Sequence, residues 1–510
     1  MSEKDVAVVS TTMVRNEIEF MGTPLSQTPE CVTPGTFTAE DSSDSAYFNN
    51  AQASDEENSR QRHEFSLPPV DGGKDAWLFL SATFVVDALI WGMCFLLQFT
   101  FLNPTLSATL DSEILNCCGL GFPFAFGVFQ DYYLTHEPFI GQPNIAVIGT
   151  SAMGVMYLAS PIIMGFCQTF GRWARWGPIV GLLVMSLALA LSSFASTTTH
   201  LIVSQGVLYG LGGSFCYCPC IMYLGEWFVN KKGLAYGIMW SGTGLAGVIL
   251  PLVLQSLLSS LGFRNTLRLW AGLLFVLAAP AAVFIKPRLP PSATSHAKPF
   301  NLWFLVTPAF LVYQAANIVE SMGYFLPGIY LPTYARSIFD VPSLSAATTI
   351  LLVNVASVFG CVAMGWFIDR FHVTTGIMLS TIGATISVLV LWGLSSSLGL
   401  LYFFCIAYGL FAGSFTSAWP GIMRDIAQQA QHSSKGQVDP NMVFGFLCAG
   451  RGIGNVVAGS LSDVLIRSSL WAGETATNGY SSSYSSVIVF TGVTALLGGA
   501  SFIWKRLGLM

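Results

Sequence analysis

Long apolar stretches separated by short polar turns fill most of this chain. Each stretch is long enough for an α-helix to cross about 30 Å of hydrocarbon. Because lipid offers no partner to exposed backbone groups, we predict that all of them are helices. In order, they lie near 145–167, 178–196, 200–225, 233–258, 264–285, 302–330, 343–367, 374–394, 398–423, 440–465 and 485–504. With a first segment that begins near Ala76, the pattern predicts twelve membrane-spanning helices.

The first apolar segment is interrupted after Trp91-Gly92. It breaks at Asn103-Pro104 and resumes as the run GFPFAFGVF from Gly121. Removal of residues 93–121 would leave one span of ordinary length. We therefore predict that these 29 residues derive from a retained intron, because codons for Gly-Met-Cys can contain GTATGT and those for Leu-Gly can contain AG. The alternative is a genuine extracellular or interfacial insertion.

Composition changes at the start and in the middle of the chain. Residues 1–70 hold twelve Asp or Glu and have no periodic apolar face, which predicts disorder. A polar, Pro-rich connector separates the two sets of six segments. We predict a disordered cytoplasmic tail at 1–72, a six-helix bundle at 73–285, a cytoplasmic linker at 286–301 and a second six-helix bundle at 302–510.

The composition excludes an ordinary soluble protein. The chain has 510 residues, of which 53% are hydrophobic and 10% charged, whereas soluble domains carry about 25% charged residues. Cys216, Cys218 and Cys220 lie in one apolar segment with no nearby His, so we interpret them as packing residues rather than a metal or redox site. No catalytic triad, phosphate loop or basic nucleic-acid patch is recognisable. We predict no enzymatic activity, no cofactor, no metal and no nucleic-acid partner.

Lys and Arg are distributed unevenly over the turns. If both termini are cytoplasmic, twelve of these residues lie in inside loops or at the C-terminus, and four lie outside, namely Arg264, Arg268, Arg336 and Arg467. Positive charge accumulates on the cytoplasmic side of membrane proteins. The pattern therefore predicts cytoplasmic termini.

The two halves of the apolar region repeat each other at a shift of about 200 residues. Tyr209-Gly210-Leu211 returns as Tyr408-Gly409-Leu410, and Met164-Gly165 returns as Met364-Gly365. Three glycines also recur, because Gly242, Gly244 and Gly247 are echoed by Gly450, Gly452 and Gly454. Duplicated six-helix units of this kind build carriers that hold substrate midway between the halves.

The stretch Glu226–Gly247, EWFVNKKGLAYGIMWSGTGLAG, carries the most specific motif. Trp227-Phe228 suits a membrane interface, Lys231-Lys232 marks a loop, and the small residues that follow let another helix approach closely. This order resembles the fifth-span signature of monocarboxylate porters of the major facilitator superfamily, most of all their fungal branch. Asp71 to Trp77 resembles the signature that precedes the first span of the same family.

The resemblance covers the chain from about Asp71 to its C-terminus. It implies an all-α, twelve-helix major facilitator fold made of two six-helix bundles, with small carboxylates moved together with a proton. Animal members of the family place an acidic and a basic residue in the eighth span. Here residues 343–367 are uncharged, so that substrate chemistry is not carried over residue by residue.

Few ionisable residues lie inside the predicted spans, and these are the candidates for chemistry. Arg451 offers a planar donor fork suited to a carboxylate, and we predict that it binds an anionic substrate. The alternative is a structural ion pair with Asp87 or Glu320, which are also our candidate proton carriers. Polar and aromatic candidates for the substrate cavity, each of which could instead be packing, are Gln314, Asn317, Tyr209, Tyr217 and Trp240.

The turn after the eighth span resembles the superfamily's cytoplasmic Gly-x-x-x-Asp-Arg motif. Gly365 to Arg370 matches its core, whereas in the first half Thr169 replaces the carboxylate and only Arg172 and its neighbours remain. We predict gating roles for Asp369, Arg370 and Arg172. The alternative for Asp369 is a solvated end charge of little energetic value.

Together these features predict a secondary active transporter in the cell membrane that moves an organic acid or related amphipathic metabolite, coupled to a proton gradient. We expect a multi-pass monomer whose partners are a small-molecule substrate, protons and the lipid bilayer. One alternative is an efflux carrier that exports a fungal secondary metabolite. Another is a non-transporting nutrient sensor with the same fold.

Overall fold

The computed structural model describes residues 67–91, 129, 132–133, 136–140, 142, 145–289, 301–431, 436–467 and 478–508. These residues form helices and turns, with no strand among them. The compact unit to which they belong begins at Leu67. The predictions of disorder before Leu67 and of a retained intron at 93–121 lie outside the described residues.

Five labelled helices form the described part of the first half. They are α1 Lys74–Trp91, α2 Ile145–Thr169, α3 Gly177–Ser192, α4 Tyr209–Trp227 and α5 Lys232–Phe284. Short helical turns at Gly171–Ala174 and Thr198–Leu201, and a π-helix at Ile202–Leu208, join α2 to α3 and lead into α4.

Nine labelled helices form the described part of the second half. They are α6 Pro308–Tyr324, α7 Leu326–Phe339, α8 Ser343–Arg370, α9 Val373–Ile386, α10 Leu398–Phe411, α11 Trp419–Gln431, α12 Pro440–Arg467, α13 Ser485–Gly498 and α14 Ala500–Arg506. Shorter 3₁₀ and π turns lie at Trp303–Val306, Ser387–Trp392 and Phe415–Ala418.

Membrane-scale helices recur throughout the described residues. By length and apolarity, seven continuous helical stretches in that part of the chain could cross a membrane: Val147–Thr169, Thr198–Trp227, Ser260–Phe284, Ser345–Arg370, Val373–Trp392, Leu398–Gln431 and Ser485–Arg506. The long helix α5 contains one residue with non-helical backbone, Gly262, at φ 70° and ψ 168°. Side chains with a Cβ disfavour that φ. The chain therefore turns where the sequence predicted a boundary between two spans.

The internal repeat is visible in individual hydrogen bonds. The hydroxyl of Tyr209 donates to the carbonyl of Ile90 at 3.0 Å, and that of Tyr408 donates to the carbonyl of Tyr324 at 2.9 Å. The residues that begin the two corresponding helices also match. Thr197 and Ser397, 200 positions apart, each accept from the backbone N–H three residues later, as an N-cap does.

Two helix pairs join the halves, and we call them the α5–α8 seam and the α2–α12 seam. They contain some of the most extensive helix packing in the described residues. In the α5–α8 seam, a Cβ on Gly233 would lie 2.5 Å from the carbonyl oxygen of Gly365, and one on Gly244 would lie 2.7 Å from the hydroxyl of Ser357. Glycine therefore lets the two backbones touch, as the small-residue pattern of the sequence predicted.

The α2–α12 seam repeats these contacts. Gly445 lies on α12, 208 residues after Gly237 of α5, and a Cβ there would lie 3.0 Å from the Cα of Pro161 on α2. Gly452 follows Gly244 by the same 208 residues, and a Cβ added at Gly452 would lie 2.8 Å from the Cβ of Tyr157. The two seams are thus copies related by the internal repeat.

The two stretches that carry the porter resemblance meet in space. The carboxylate of Asp71 accepts from the backbone N–H groups of Val229, Asn230 and Lys231 at 2.8–3.0 Å, and its own N–H donates to Trp227. Burial raises the pKa of Asp71, but the hydrogen bonds from these donors lower it by more. The net pKa of Asp71 therefore lies below its ordinary value. The approach to α1 is therefore fixed to the turn between α4 and α5.

Candidate functional site

Arg451 lies on α12 at a cavity between the two halves. Arg451 is 3% exposed, and its Nη1 donates to Oε2 of Glu320 on α6 at 3.1 Å. Its Cζ lies 4.4 Å from the ring centroid of Tyr324 and 5.4 Å from that of Phe325, so aromatic faces support the cation. Of the two ion-pair partners that the sequence offered, the structure selects Glu320.

The cavity beside Arg451 has a volume of about 60 Å³. Its lining comes from both seams, and Arg451 is the one charged residue among the described residues that form it. Tyr217 and Trp240, both predicted from the sequence, contribute to the wall, and the Trp240 indole donates to the Tyr217 hydroxyl at 2.9 Å. Tyr209 is not among the described lining residues.

Sequence reasoning did not single out several aromatic residues of this wall. They are Trp91, Tyr157, Tyr324, Phe325 and Trp419. The repeat relates two of them, Trp91 and Phe325. Each directly follows the residue whose carbonyl accepts from a repeated tyrosine, Ile90 for Tyr209 and Tyr324 for Tyr408. The orientation of Tyr157 and Trp419 had no comparable signal.

Glu320 faces a second, smaller space within the second half. It lines a cavity of about 10 Å³ together with the hydroxyl-bearing residues Ser380, Thr381, Tyr408 and Thr491. Tyr324 lines both this space and the cavity beside Arg451. The ion pair therefore lies between the cavity beside Arg451 and this smaller space in the second half.

Asp87 lies on α1, in the first half of the chain, whereas Glu320 lies in the second half. Asp87 is 1% exposed, and its carboxyl group interacts with the Trp91 indole one turn later on α1 without a short, well-aligned hydrogen bond. It lies within electrostatic range of Cys216, Tyr217 and Cys220 on α4. Unlike Glu320, it has no cationic partner within ion-pair distance in the described part of the chain.

Gln314 and Asn317 hold α12 instead of lining the cavity. Their side-chain amides donate to the carbonyls of Phe446 at 2.7 Å and Leu447 at 2.8 Å. Gln314 also packs directly against Gly450, where a larger residue would collide with it. Both amides thus fix the turn of α12 that leads into Arg451.

Asp369 closes the α5–α8 seam at one end. Its two carboxylate oxygens accept from the backbone N–H groups of Gly233 at 2.6 Å and Leu234 at 2.8 Å, which begin α5. A carboxylate is stabilised at a helix N-terminus by free N–H groups and the helix dipole. Arg370 does not join this contact and instead stacks over Trp366, with its Cζ 4.3 Å from the ring centroid.

The corresponding end of the α2–α12 seam has a different carboxylate. Thr169 occupies the position that corresponds to Asp369, and its hydroxyl donates within α2 to Gly165. Asp439, just before α12, accepts from the backbone N–H of Asn441 at 2.8 Å and from the side-chain amide of Gln168 on α2. Burial raises the pKa of Asp439, and the Asn441 N–H and the charge of Lys232 offset this only in part. Arg172 is exposed in the turn after α2.

The comparisons with known proteins agree with this architecture. The profile described as Major Facilitator Superfamily matches residues 80–438. Among similar proteins, the MFS transporter asaE of Aspergillus flavus is 26% identical over 76% of this chain and 83% of its own length. The Agnestins efflux protein AgnL12 of Paecilomyces divaricatus is 27% identical over 78% of this chain and 86% of its own. Mouse Monocarboxylate transporter 10 is 26% identical over 63% and 65%, respectively.

The fold comparison adds an independent structure. The crystal structure of the human organic anion transporter MFSD10 (TETRAN) superposes with a TM-score of 0.57 at 14% identity, covering 84% of this chain and all of that one. At this identity the match concerns the fold alone. It agrees with the family profile, and the superfamily consists of transporters and not of enzymes. The resemblance read from Trp227 to Gly247 is confirmed, and this chain belongs to the Major Facilitator Superfamily.

Proposed function

We propose that this protein is a secondary active carrier that moves an organic acid by exposing the Arg451 cavity alternately to the two sides of the membrane. The observation that carries this proposal is a buried guanidinium at a cavity lined by both halves of the chain. Such a group is costly inside a membrane protein unless it has an anionic partner or a functional ligand.

Twelve crossings follow if α5 is counted as two spans across Gly262, if α6 is joined to α7 and α13 to α14, and if α10 continues into α11. An even number places both termini on one side, and the Lys and Arg distribution favours the cytoplasm. We place the carrier in the cell membrane as a monomer of two six-helix bundles, 73–285 and 302–510, joined by a cytoplasmic linker.

Proton coupling is part of the proposal, and the Glu320–Arg451 pair supports it. A substrate carboxylate that binds Arg451 competes with Glu320 for the same donors. Once displaced, Glu320 is a buried carboxylate without a counter-ion, a state that costs several kcal/mol unless the group takes up a proton. Substrate and proton therefore bind together. Asp87 is the second candidate proton carrier, since its carboxyl group is buried without a cationic partner among the described residues.

Measurement of transport into vesicles, with and without a pH difference across the membrane, tests this function. The full chain, with and without residues 93–121, is reconstituted in vesicles, and the movement of labelled organic acids is measured with and without an imposed pH difference. Arg451→Ala should abolish transport of anionic substrates. Arg175→Gln, a change at an exposed arginine outside the cavity, is the matched control.

Glu320→Gln separates binding from coupling. We expect this variant to exchange substrate across the membrane but to lose accumulation against a gradient, because the amide cannot carry a proton. Uphill accumulation in both Glu320→Gln and Asp87→Asn would show that neither residue couples transport to protons. Unchanged transport by Arg451→Ala would remove this cavity as the substrate site.

Export of a secondary metabolite is a second form of the same function. It is favoured by the names of two similar fungal proteins, the Agnestins efflux protein AgnL12 and the Aspyridones efflux protein apdF. The sign of the imposed pH difference distinguishes the two, because a proton symporter accumulates substrate in vesicles whose outside is acidic, whereas an exporter that exchanges substrate for protons accumulates it in vesicles whose lumen is acidic.

A further inference from the structure

The wall of the Arg451 cavity is aromatic rather than aliphatic. Rings from both halves form it, and the described lining includes no Leu, Ile or Val. Trp91 and Tyr157 lie on one side with ring centroids 5.2 Å apart, and Trp240 and Trp419 lie on another with centroids 6.0 Å apart at 83°. Ring pairs in such geometries are stabilised beyond simple burial, and a flat aromatic ligand can make the same contacts.

One of these rings also carries a hydrogen-bond donor that is not used. The indole nitrogen of Trp419 is buried and has no acceptor among the described residues, whereas that of Trp91 interacts with the carboxyl group of Asp87, one turn earlier on α1. A buried N–H without a partner is destabilising, and such groups are uncommon in native structures. Trp419 and Arg451 both line the cavity, and no carboxylate lies among the described lining residues.

We propose that the substrate is a planar aryl or π-conjugated carboxylic acid that carries a second acceptor oxygen near its carboxylate. The carboxylate binds Arg451, the ring lies between the two aromatic walls, and the second oxygen accepts from an indole N–H. This inference rests on the proposed function and defines the substrate class of the same site.

The volume of the cavity sets a condition on binding. A site of about 150 Å³ holds a benzene ring in other proteins, whereas this cavity has about 60 Å³. The walls must therefore separate to admit substrate. Because Trp91 and Tyr157 belong to the first half and Trp419 to the second, movement of the halves in alternating access would separate them.

A matched pair of acids isolates the aromatic contribution. Binding of 3-phenylpropanoate and 3-cyclohexylpropanoate to the full chain in lipid nanodiscs is measured by calorimetry. The two acids have the same number of carbons and the same carboxylate, but only one has a π-system. We expect the phenyl acid to bind about tenfold more tightly. Trp240→Leu should bring the ratio near one, while Trp240→Phe keeps it and Trp504→Leu, at an exposed site, leaves it unchanged.

The second acceptor is tested with 2-oxo-3-phenylpropanoate. We expect it to bind more tightly than 3-phenylpropanoate, and Trp419→Phe, which keeps a ring but removes the N–H, should reduce that advantage while preserving the preference for phenyl over cyclohexyl. Thermal melting of each variant shows whether it is folded.

The outcomes distinguish this inference from the function beneath it. Equal binding of the phenyl and cyclohexyl acids, with Arg451-dependent transport of both, would overturn the aromatic substrate class and leave the carrier function standing. Absence of Arg451-dependent binding or transport for these acids and for acetate and pyruvate would overturn both.

Discussion

The α5–α8 and α2–α12 seams are related by the internal repeat, which pairs α2 with α8 and α5 with α12. The contacts at the ends of the two seams nevertheless differ. At the first, Asp369 of α8 reaches across to two N–H groups of α5. At the second, Thr169 cannot do this, and Asp439 binds the start of its own helix, α12, while Gln168 donates to it from α2. The comparison shows that the repeat preserves a carboxylate at the helix N-terminus, but not the side of the seam that supplies it.

Closure of either seam can be followed without knowing the substrate. Cys361 lines the central cavity and is buried, so a sulfonated maleimide applied to the Asp369 side should label it only when that end opens. Cys405 is buried and absent from the described lining of either cavity, and it serves as the internal standard. Mass spectrometry quantifies both thiols in each variant.

The largest effect should come from Gly233→Ala. The new Cβ would lie 2.5 Å from the Gly365 carbonyl oxygen. The Cβ is fixed to its Cα and the oxygen belongs to the backbone, so neither can turn aside and the seam must separate. We expect Cys361 to react at least about tenfold faster, the equivalent of about 1.4 kcal/mol. Gly445→Ala, whose Cβ would lie 3.0 Å from Pro161, should have a smaller effect.

Gly171→Ala is the control for this comparison, because no atom lies within 4 Å of the position of its Cβ. Equal labelling of Cys361 in the Gly233, Gly445 and Gly171 variants would contradict the view that backbone contact keeps the seams closed.

Asp369→Ala should have the next largest effect. It leaves the N–H groups of Gly233 and Leu234 without their acceptor, and loss of a helix cap costs about 0.5–2 kcal/mol. Labelling of Cys361 should rise several-fold. Arg370→Gln should change it little, because that side chain stacks on Trp366 and does not cross the seam. The reverse order of the two variants would make Arg370 the gating residue.

These residues also show what the sequence could and could not reveal. The positions of Asp369, the seam glycines and the paired tyrosines follow from motif and repeat, since both are patterns of spacing. Tyr217 and Trp240 were candidates for the aromatic wall, but Tyr157 and Trp419 were not, because a helix that is apolar on all sides carries no signal of which side faces a cavity. Gln314 was an equally natural lining candidate, but a buried amide can also bind a neighbouring backbone, and here it does.

Gln168→Glu should have a moderate effect confined to the α2–α12 seam. It replaces the amide donor with a second carboxylate beside Asp439, so the two charges repel when the seam is closed. Cys361 labelling should increase. Adding Asp439→Asn should reverse the increase, since the new amide can donate to the glutamate. If Asp439→Asn did not lower the labelling of Cys361 in the Gln168→Glu variant, the two side chains would not act as a pair.

The smallest effect should be a pH response that belongs to the α2–α12 seam. Burial in the closed seam raises the pKa of Asp439 above its ordinary value, whereas an opened seam would return that carboxyl group towards water. The closed state therefore binds the proton more tightly. By linkage, closure gains stability as pH falls through the raised pKa, and the gain is complete below the ordinary pKa. Because the thiolate is the reactive species, labelling of Cys361 is divided at each pH by that of a free thiol in the same buffer. This normalised rate should fall with acidification, and Asp439→Asn should remove this part of the response and hold the normalised rate low at all pH values. A response that persists unchanged in the variant would assign the titration to another group, and faster labelling at low pH would reverse the sign expected from a carboxyl group buried by closure.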